Sequence, residues 1–238
     1  MPYYSVNPIM LAAAVIPAAF LMLKVYKADR LEKEPPALLF RLVILGIIST
    51  MFAVVLENIG QLLISGLDPS SMTYNLILYF VVVGFSEELG KYLVLKRATW
   101  RHPAFNCEFD AIVYSVFVSL GFALWENIQY VAVYGLEVAL IRAVTAIPGH
   151  CSFAVFMGVW YGIAKKNYNS GKFANAKFSL RLSVIVPAII HGAYDFIATW
   201  NDGSAFVMFI AFIIIVFMWA YHLVKKISES DGFIDFFM

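Results

Sequence analysis

The sequence predicts an all-α membrane protein, a polytopic bundle of about seven transmembrane helices. Hydrophobic residues make up 62% of the 238-residue chain and charged residues only 14%, whereas a soluble domain usually carries about 25% charged residues. The mean hydropathy is +0.79. The apolar residues are gathered in long runs, and basic residues recur in every other loop between these runs.

Each apolar run is long enough to cross about 30 Å of hydrocarbon as a helix. The runs do not alternate in polarity, as the strands of a membrane barrel would. Because they fill most of the chain, we expect one membrane domain over residues 1–238. The runs are 8–26, 37–57 (with a continuation to 66 left open), 73–96, 109–134, 138–164, 181–200 and 204–224.

The loops between the runs predict the orientation. Lys and Arg occur in the first, third and fifth loops and in the C-terminal tail, and they are absent from the second, fourth and sixth loops. Basic loops remain in the cytoplasm, so the N-terminus is predicted outside and the C-terminus inside. The segment 1–7 carries no basic side chain, so the first run is not expected to be a cleaved signal peptide. The longest loop, 166–180, is polar and predicted to be cytoplasmic.

The third run carries two consecutive carboxylates, Glu87 and Glu88, followed by Lys91. An ionisable group at a membrane helix centre costs about 2.5–3.5 kcal/mol on insertion scales, so these groups must face one another or water. A structural ion pair explains a Glu–Lys spacing of three or four residues. Two adjacent carboxylates resist double ionisation, which instead favours a general base that works near neutral pH.

Three further runs carry polar groups at membrane depth. Glu126 is predicted to be functional, whereas Asn127 beside it, taken alone, is better explained by helix packing. His150 and His191 both fall near the bilayer centre, and Asp195 lies one helical turn from His191, where it could orient the imidazole. A lone histidine is usually a satisfied core residue, but two at the depth of a carboxylate pair indicate a site.

These motifs occur in order, each on its own run, and together they resemble the PrsW family of intramembrane proteases. The resemblance covers about residues 20–200, including an acidic, Pro-terminated loop at 29–35. The chain departs from the family at Ala111, where Gly is expected. In the related CAAX prenyl endopeptidases and bacteriocin-immunity proteins, His replaces Glu126 and Asn replaces Asp195. The motifs are Glu87-Glu88-x-x-Lys91, Phe122-x-x-x-Glu126-Asn127, Pro148-Gly149-His150 and His191-x-x-x-Asp195.

The resemblance implies hydrolysis of peptide bonds in membrane-protein substrates, with a catalytic core over about residues 73–200. In the family, the best-known substrates are single-pass anti-sigma factors, cleaved on their extracytoplasmic side. The implied localisation is a bacterial or archaeal cell membrane. Carried over to this chain, the catalytic residues are Glu87, Glu88, His150, His191 and Glu126, and the supporting residues are Lys91, Asn127 and Asp195.

Two mechanisms remain open from the sequence. In one, Glu87 or Glu88 activates a water molecule without a metal, and this version is slightly favoured. In the other, a zinc ion is held by Glu87, His150 and His191 with an open position for water. A cysteine nucleophile is disfavoured, because Cys151 and His150 are adjacent and point to different faces of a helix.

Two other classes of protein bury comparable residues. A proton-coupled transporter uses buried Glu, His and Lys, but it usually shows inverted repeats, which this sequence lacks. A non-catalytic membrane scaffold would not need the Glu87–Glu88 pair. The net charge of +1 gives no information about nucleic acid, but the sequence has no basic stripe with interleaved aromatics, so no nucleic-acid partner is expected. The oligomeric state and the substrate are left open.

Overall fold

Nine α-helices and one π-helical segment make up the secondary structure of residues 8–200 and 203–234, which the computed structural model describes. The segment 1–7 and part of the sixth loop, 201–202, lie outside the described residues. The helices are α1 (Pro8–Ala28), α2 (Pro36–Ile64), α3 (Met72–Leu76), the π segment (Ile77–Gly84), α4 (Phe85–Thr99), α5 (Asp110–Tyr134), α6 (Leu136–Val144), α7 (Ala146–Asn169), α8 (Phe173–Ala198) and α9 (Ala205–Glu229).

The predicted all-α membrane bundle is confirmed. Within the described ranges, six helical stretches are long and apolar enough to cross a membrane, with α6 and α7 forming one of them. The remaining predicted span, 73–96, is helical from residue 72 to residue 99. A π-helical segment in its middle divides it into three shorter pieces. The count of seven spans and the orientation stay predictions.

Two boundaries differ from those that the sequence suggested. The predicted span 138–164 is divided at Thr145, because Pro148 has no N–H and its ring clashes with the carbonyl four residues earlier, at Val144. The predicted polar loop 166–180 was too long, since α8 already begins at Phe173. The first two turns of α8 mix exposed polar residues, Asn175 and Lys177, with exposed Phe173 and Phe178, and hydropathy alone cannot separate such a stretch from a loop.

Helix α5 lies at the centre of the bundle. Its most apolar 18-residue window is 72% buried, compared with 22% for α1 and 17% for α9. The outer helices instead expose large apolar side chains, such as Phe40 and Met51 on α2 and Phe206 on α9. A surface of this kind suits lipid, so α5 is shielded by protein while α1 and α9 are placed to face the bilayer.

Glycines allow the π segment and α4 to approach α8 closely. A Cβ atom on Gly84 would lie 2.8 Å from the Ala188 carbonyl oxygen, and a Cβ on Gly192 would lie 2.7 Å from the Phe80 Cα. Small residues at such crossings bring helix backbones together in membrane proteins. The crossing brings the residues that follow Gly84 on α4 beside the residues around Gly192 on α8.

We expect Gly192→Ala to lower the thermal stability of the protein in detergent. The new methyl group meets the Phe80 backbone, which cannot rotate away, and overpacking of this kind costs about 1–3 kcal/mol. Thermal unfolding followed by tryptophan fluorescence measures the effect. Gly66→Ala is the matched control, because no atom lies within 4 Å of a Cβ built there. Equal melting temperatures for the two variants would show that the crossing tolerates a wider separation.

Candidate active site

The residues predicted for the site lie together where α4, α5, α7 and α8 meet. Glu87, Glu88 and Lys91 come from α4, His150 from the first turns of α7, and His191 from α8. All five are less than 10% exposed. Glu126, Asn127 and Asp195 join them through hydrogen bonds or ion pairs. The structure therefore brings all eight predicted residues into one network, while their catalytic roles stay predictions.

Lys91 is the cation at the centre of this network. Its Nζ donates to Glu88 Oε1 at 2.7 Å and to Glu87 Oε2 at 3.1 Å, and it lies 3.2 Å from His150 Nδ1. The ammonium also lies 4.1 Å from the centroid of the Phe122 ring, which adds a cation–π contact. The side chain has no exposed surface. Lys91 thus supplies the charge that two neighbouring buried carboxylates require.

The two glutamates have different surroundings. Glu87 lines a cavity and 8% of its side chain is exposed, whereas the Glu88 side chain is fully enclosed. Glu88 Oε1 is bonded to both Lys91 and His191 Nδ1, the latter at 3.0 Å. The distance from Glu87 Oε2 to His191 Nδ1 is longer, 3.9 Å. Glu87 can therefore contact a water molecule or substrate, while Glu88 anchors the side chains around it.

The hydrogen bonds of His150 assign its tautomer. Because a protonated Lys91 can only donate, His150 Nδ1 must accept, and Nε2 then carries the proton. Nε2–H donates to Glu126 Oε2 at 2.9 Å. Both nitrogens are thus engaged, so His150 connects the Lys91 cluster to Glu126.

His191 contacts Glu88 and, like Glu87, lines the cavity. Its Nδ1 faces Glu88, and its Nε2 lies 3.5 Å from Asp195 Oδ2, one turn further along α8. The ring is stacked on Phe153 with centroids 4.7 Å apart. This packing fixes the plane of the imidazole, and Asp195 is placed to support its protonated form.

Arg142 lies at the outer end of the network. Its Nη2 donates to Glu126 Oε2 at 2.8 Å, and its Nε donates to Asn127 Oδ1 at 2.9 Å. Asn127 also donates to the Ala14 carbonyl at 3.4 Å, which ties α5 to α1. Asn127 therefore has a packing role beside its contact with Arg142.

A cavity of about 380 Å³ opens onto this network. It extends from Glu87 and His191 to Thr199, just beyond the last residue of α8 on the predicted outer side. Several residues that line this cavity were not predicted from the sequence. Glu57 stands at the end of the second apolar run, where nothing in the sequence connects it to the site, and no signal separates the tyrosines of the cavity from the others among the 13 in the chain. The missed lining residues are Glu57, Tyr79, Tyr130 and Tyr194.

The donor set resembles a metal site. One donor atom each from Glu87, Glu88, His150 and His191 lie within 4.8 Å of one another. Imidazole and carboxylate donors suit zinc. However, the Lys91 ammonium lies within 3.2 Å of three of these groups. A metal ion and this ammonium would therefore compete for the same donors.

The two cysteines do not belong to the site. Cys151 lines a separate apolar groove between α1, α7 and α9, so the expectation that it points away from His150 is confirmed. Cys107 lies in the loop before α5, and burial raises the pKa of its thiol, which disfavours the nucleophilic thiolate. Both are free thiols.

Comparison with known proteins identifies the family. A family model described as "PrsW family intramembrane metalloprotease" matches residues 34–221. Protease PrsW of Clostridioides difficile (strain 630) is 32% identical over 216 residues, covering 89% of this chain and 87% of that protein. Protease PrsW of Bacillus subtilis (strain 168) is 31% identical over 221 residues, covering 90% and 93%.

A third relative, Protease PrsW of Shouchella clausii (strain KSM-K16), is 32% identical over 223 residues, covering 91% of this chain and 96% of that protein. No solved structure matches this chain significantly. The expected resemblance is therefore confirmed along nearly the whole chain, and it comes with a buried Glu–Lys–His network among membrane-spanning helices. The chain belongs to the PrsW family of intramembrane metalloproteases.

Proposed function

We propose that this protease hydrolyses a peptide bond near the outer end of a single-pass membrane substrate, with Glu87 as the general base. The supporting observation is the placement of Glu87, the carboxylate of the pair that lines the cavity. A candidate base must come within hydrogen-bond reach of the proton it removes. Glu88 is enclosed and already bonded to two donors, so it is the weaker candidate.

The proposed reaction begins with a water molecule held between Glu87 and His191. Glu87 removes one proton from the water molecule while the water oxygen bonds to the peptide carbonyl carbon. A tetrahedral oxyanion forms. The C–N bond then breaks, and the leaving amine takes a proton. Once the proton held by Glu87 has passed through His191 to the leaving nitrogen, the products are a carboxylic acid and an amine, so the reaction consumes one water molecule and needs no other reactant.

His191 is the proposed donor to the oxyanion and to the leaving amine. It lines the cavity, and its Nε2 contacts only the more distant Asp195, at 3.5 Å. A preorganised donor aimed at developing negative charge is worth about 2.7–4 kcal/mol in known oxyanion sites. His150 is less suited to this step, because both of its nitrogens are bonded within the network.

The family description implies a metal, and the donor types at this site fit one. If zinc binds, Glu87, His150 and His191 would hold it, and it would supply Lewis-acid activation of water and carbonyl. Lys91 supports the metal-independent version, since its ammonium already lies among the same donors.

We expect cleavage to survive treatment with a chelator and to be inhibited by excess zinc, because zinc would have to displace Lys91. The measurement uses the purified chain in nanodiscs with single-pass substrates, including anti-sigma-type proteins, and mass spectrometry of the products. Activity lost on chelation and restored by zinc would replace the Lys91-centred version with the zinc mechanism.

The same products test the substrate class. The shape of the cavity, which extends toward the predicted outer side, favours a scissile bond in the outer part of the substrate's transmembrane segment. Anti-sigma-type proteins should therefore be cut there and not on their cytoplasmic side. Cleavage on the cytoplasmic side, or no cleavage of any single-pass substrate, would refute this assignment.

A further inference from the structure

A second cluster of acidic residues lies at the opposite end of the bundle. Asp29 and Glu34 come from the loop between α1 and α2, and Asp110 is the first residue of α5. They are only 2%, 1% and 0% exposed, and one oxygen from each lies within 4.8 Å of the others. Sixteen residues of α5 separate Asp110 from Glu126, about 24 Å along a helix. The cluster is thus distinct from the catalytic network.

The oxygens of this cluster are divided between protein contacts and unfilled positions. Asp110 Oδ2 accepts from the backbone N–H groups of Asn106 (3.0 Å) and Cys107 (2.7 Å), and Glu34 Oε2 accepts from the Tyr114 hydroxyl. Four of the six carboxylate oxygens of the cluster have no hydrogen-bond partner: both of Asp29, Oε1 of Glu34 and Oδ1 of Asp110. Buried unpaired carboxylate oxygens are costly, so each needs an explanation.

Among the described residues, no basic side chain forms an ion pair with any of these three acids. The ion pairs on this side join Arg30 to Glu229 and Lys166 to Glu108. The charge of Lys33 lowers the pKa of Asp29, but its Nζ donates to backbone carbonyls, including that of Tyr26 at 2.8 Å. Burial accordingly raises the pKa of Asp29 to about 6 and that of Glu34 to about 7.

We propose that Asp29, Glu34 and Asp110 bind a hard divalent cation, Mg²⁺ or Ca²⁺, that stabilises the fold. These cations prefer oxygen ligands, and carboxylates are their commonest protein donors. The four unpartnered oxygens supply the first coordination positions, and the backbone donors to Asp110 hold one ligand in place.

The position of the cluster indicates what the cation would hold together. The loop that carries Asp29 meets the loop before α5, and the C-terminal segment packs against both. Glu108 N donates to the Gly232 carbonyl at 3.2 Å, and the Ser228 hydroxyl donates to the Ala28 carbonyl. A cation between Asp29 and Asp110 would therefore fix the start of α5, the central helix, to the end of α1.

The test uses the full-length protein in nanodiscs after removal of metals. Thermal unfolding is measured without cation and with Mg²⁺ or Ca²⁺ in separate titrations, and Mn²⁺ is used as a paramagnetic probe to count sites. We expect a rise in melting temperature of about 5 °C at saturation. Mn²⁺ should occupy one site, and the added cation that displaces it at lower concentration is the one the site prefers.

Asp29→Asn is the informative variant, because neither Asp29 oxygen has a hydrogen-bond partner to lose. We expect it to weaken Mg²⁺, Ca²⁺ and Mn²⁺ binding by roughly tenfold or more. Asp68→Asn makes the same chemical change in the loop after α2 and should leave the cation response intact. If the acids instead share protons, the wild type shows neither Mn²⁺ binding nor a cation-dependent melting temperature, and that result would overturn the proposal.

Discussion

Replacement of Glu87 by Gln should reduce peptide cleavage by about 10²–10⁴-fold, the usual contribution of a general base. The amide has almost the shape of the carboxylate, but it cannot take a proton from water. Because Glu87 lines the cavity and makes one hydrogen bond, to Lys91, the fold should survive the change. Single-turnover cleavage of a single-pass substrate in nanodiscs measures the loss.

Two comparisons make this prediction specific. Glu137→Gln alters an exposed carboxylate at the start of α6 in the same chemical way and should leave cleavage unchanged. Glu88→Gln should reduce both cleavage and thermal stability, since Glu88 Oε1 holds Lys91 and His191 together. A Glu87→Gln protein that cuts as fast as the wild type, beside an inactive and stable Glu88→Gln protein, would exchange the roles of the two glutamates.

Much of the site could be predicted because charges are scarce in membrane helices. Glu87, Lys91 and His191 stand out in apolar runs, and their insertion cost requires them to find partners inside the bundle. The all-α membrane fold could be predicted for the same reason, since charged residues are scarce in the long apolar runs. Helical spacing also places Lys91 one turn from both glutamates, at 2.7 and 3.1 Å in the structure.

Other features depend on contacts between helices that are far apart in sequence. The sequence does not reveal that Phe153 stacks on His191, or that Glu57 lines the cavity. Nor does it reveal that Asp110 meets Asp29, because one residue begins α5, the other lies in the loop after α1, and each alone reads as an ordinary surface acid. Local patterns predict which groups must be satisfied, whereas tertiary packing decides which partner satisfies them.

Replacement of Lys91 by Met should destabilise the protein by about 3–5 kcal/mol, the usual cost of removing one partner from a buried ion pair. Lys91 is fully buried and bonded to both Glu87 and Glu88, so its loss leaves two enclosed carboxylates without a counter-charge. Thermal and denaturant unfolding in detergent measure the change. Lys172→Met, on an exposed lysine just before α8, is the matched control.

The double variant Lys91→Met/Glu88→Gln separates electrostatics from packing. If the cost comes from uncompensated charge, removal of one carboxylate should restore most of the lost stability, and the coupling between the two sites should be large. Cleavage should stay low, because Glu87 would still lack the ammonium that holds it.

Zinc adds a further comparison. If the metal ion and the Lys91 ammonium compete for the same donors, zinc should stabilise the Lys91→Met protein more than the wild type. Equal zinc effects on both proteins would show that Lys91 and the metal do not share a site.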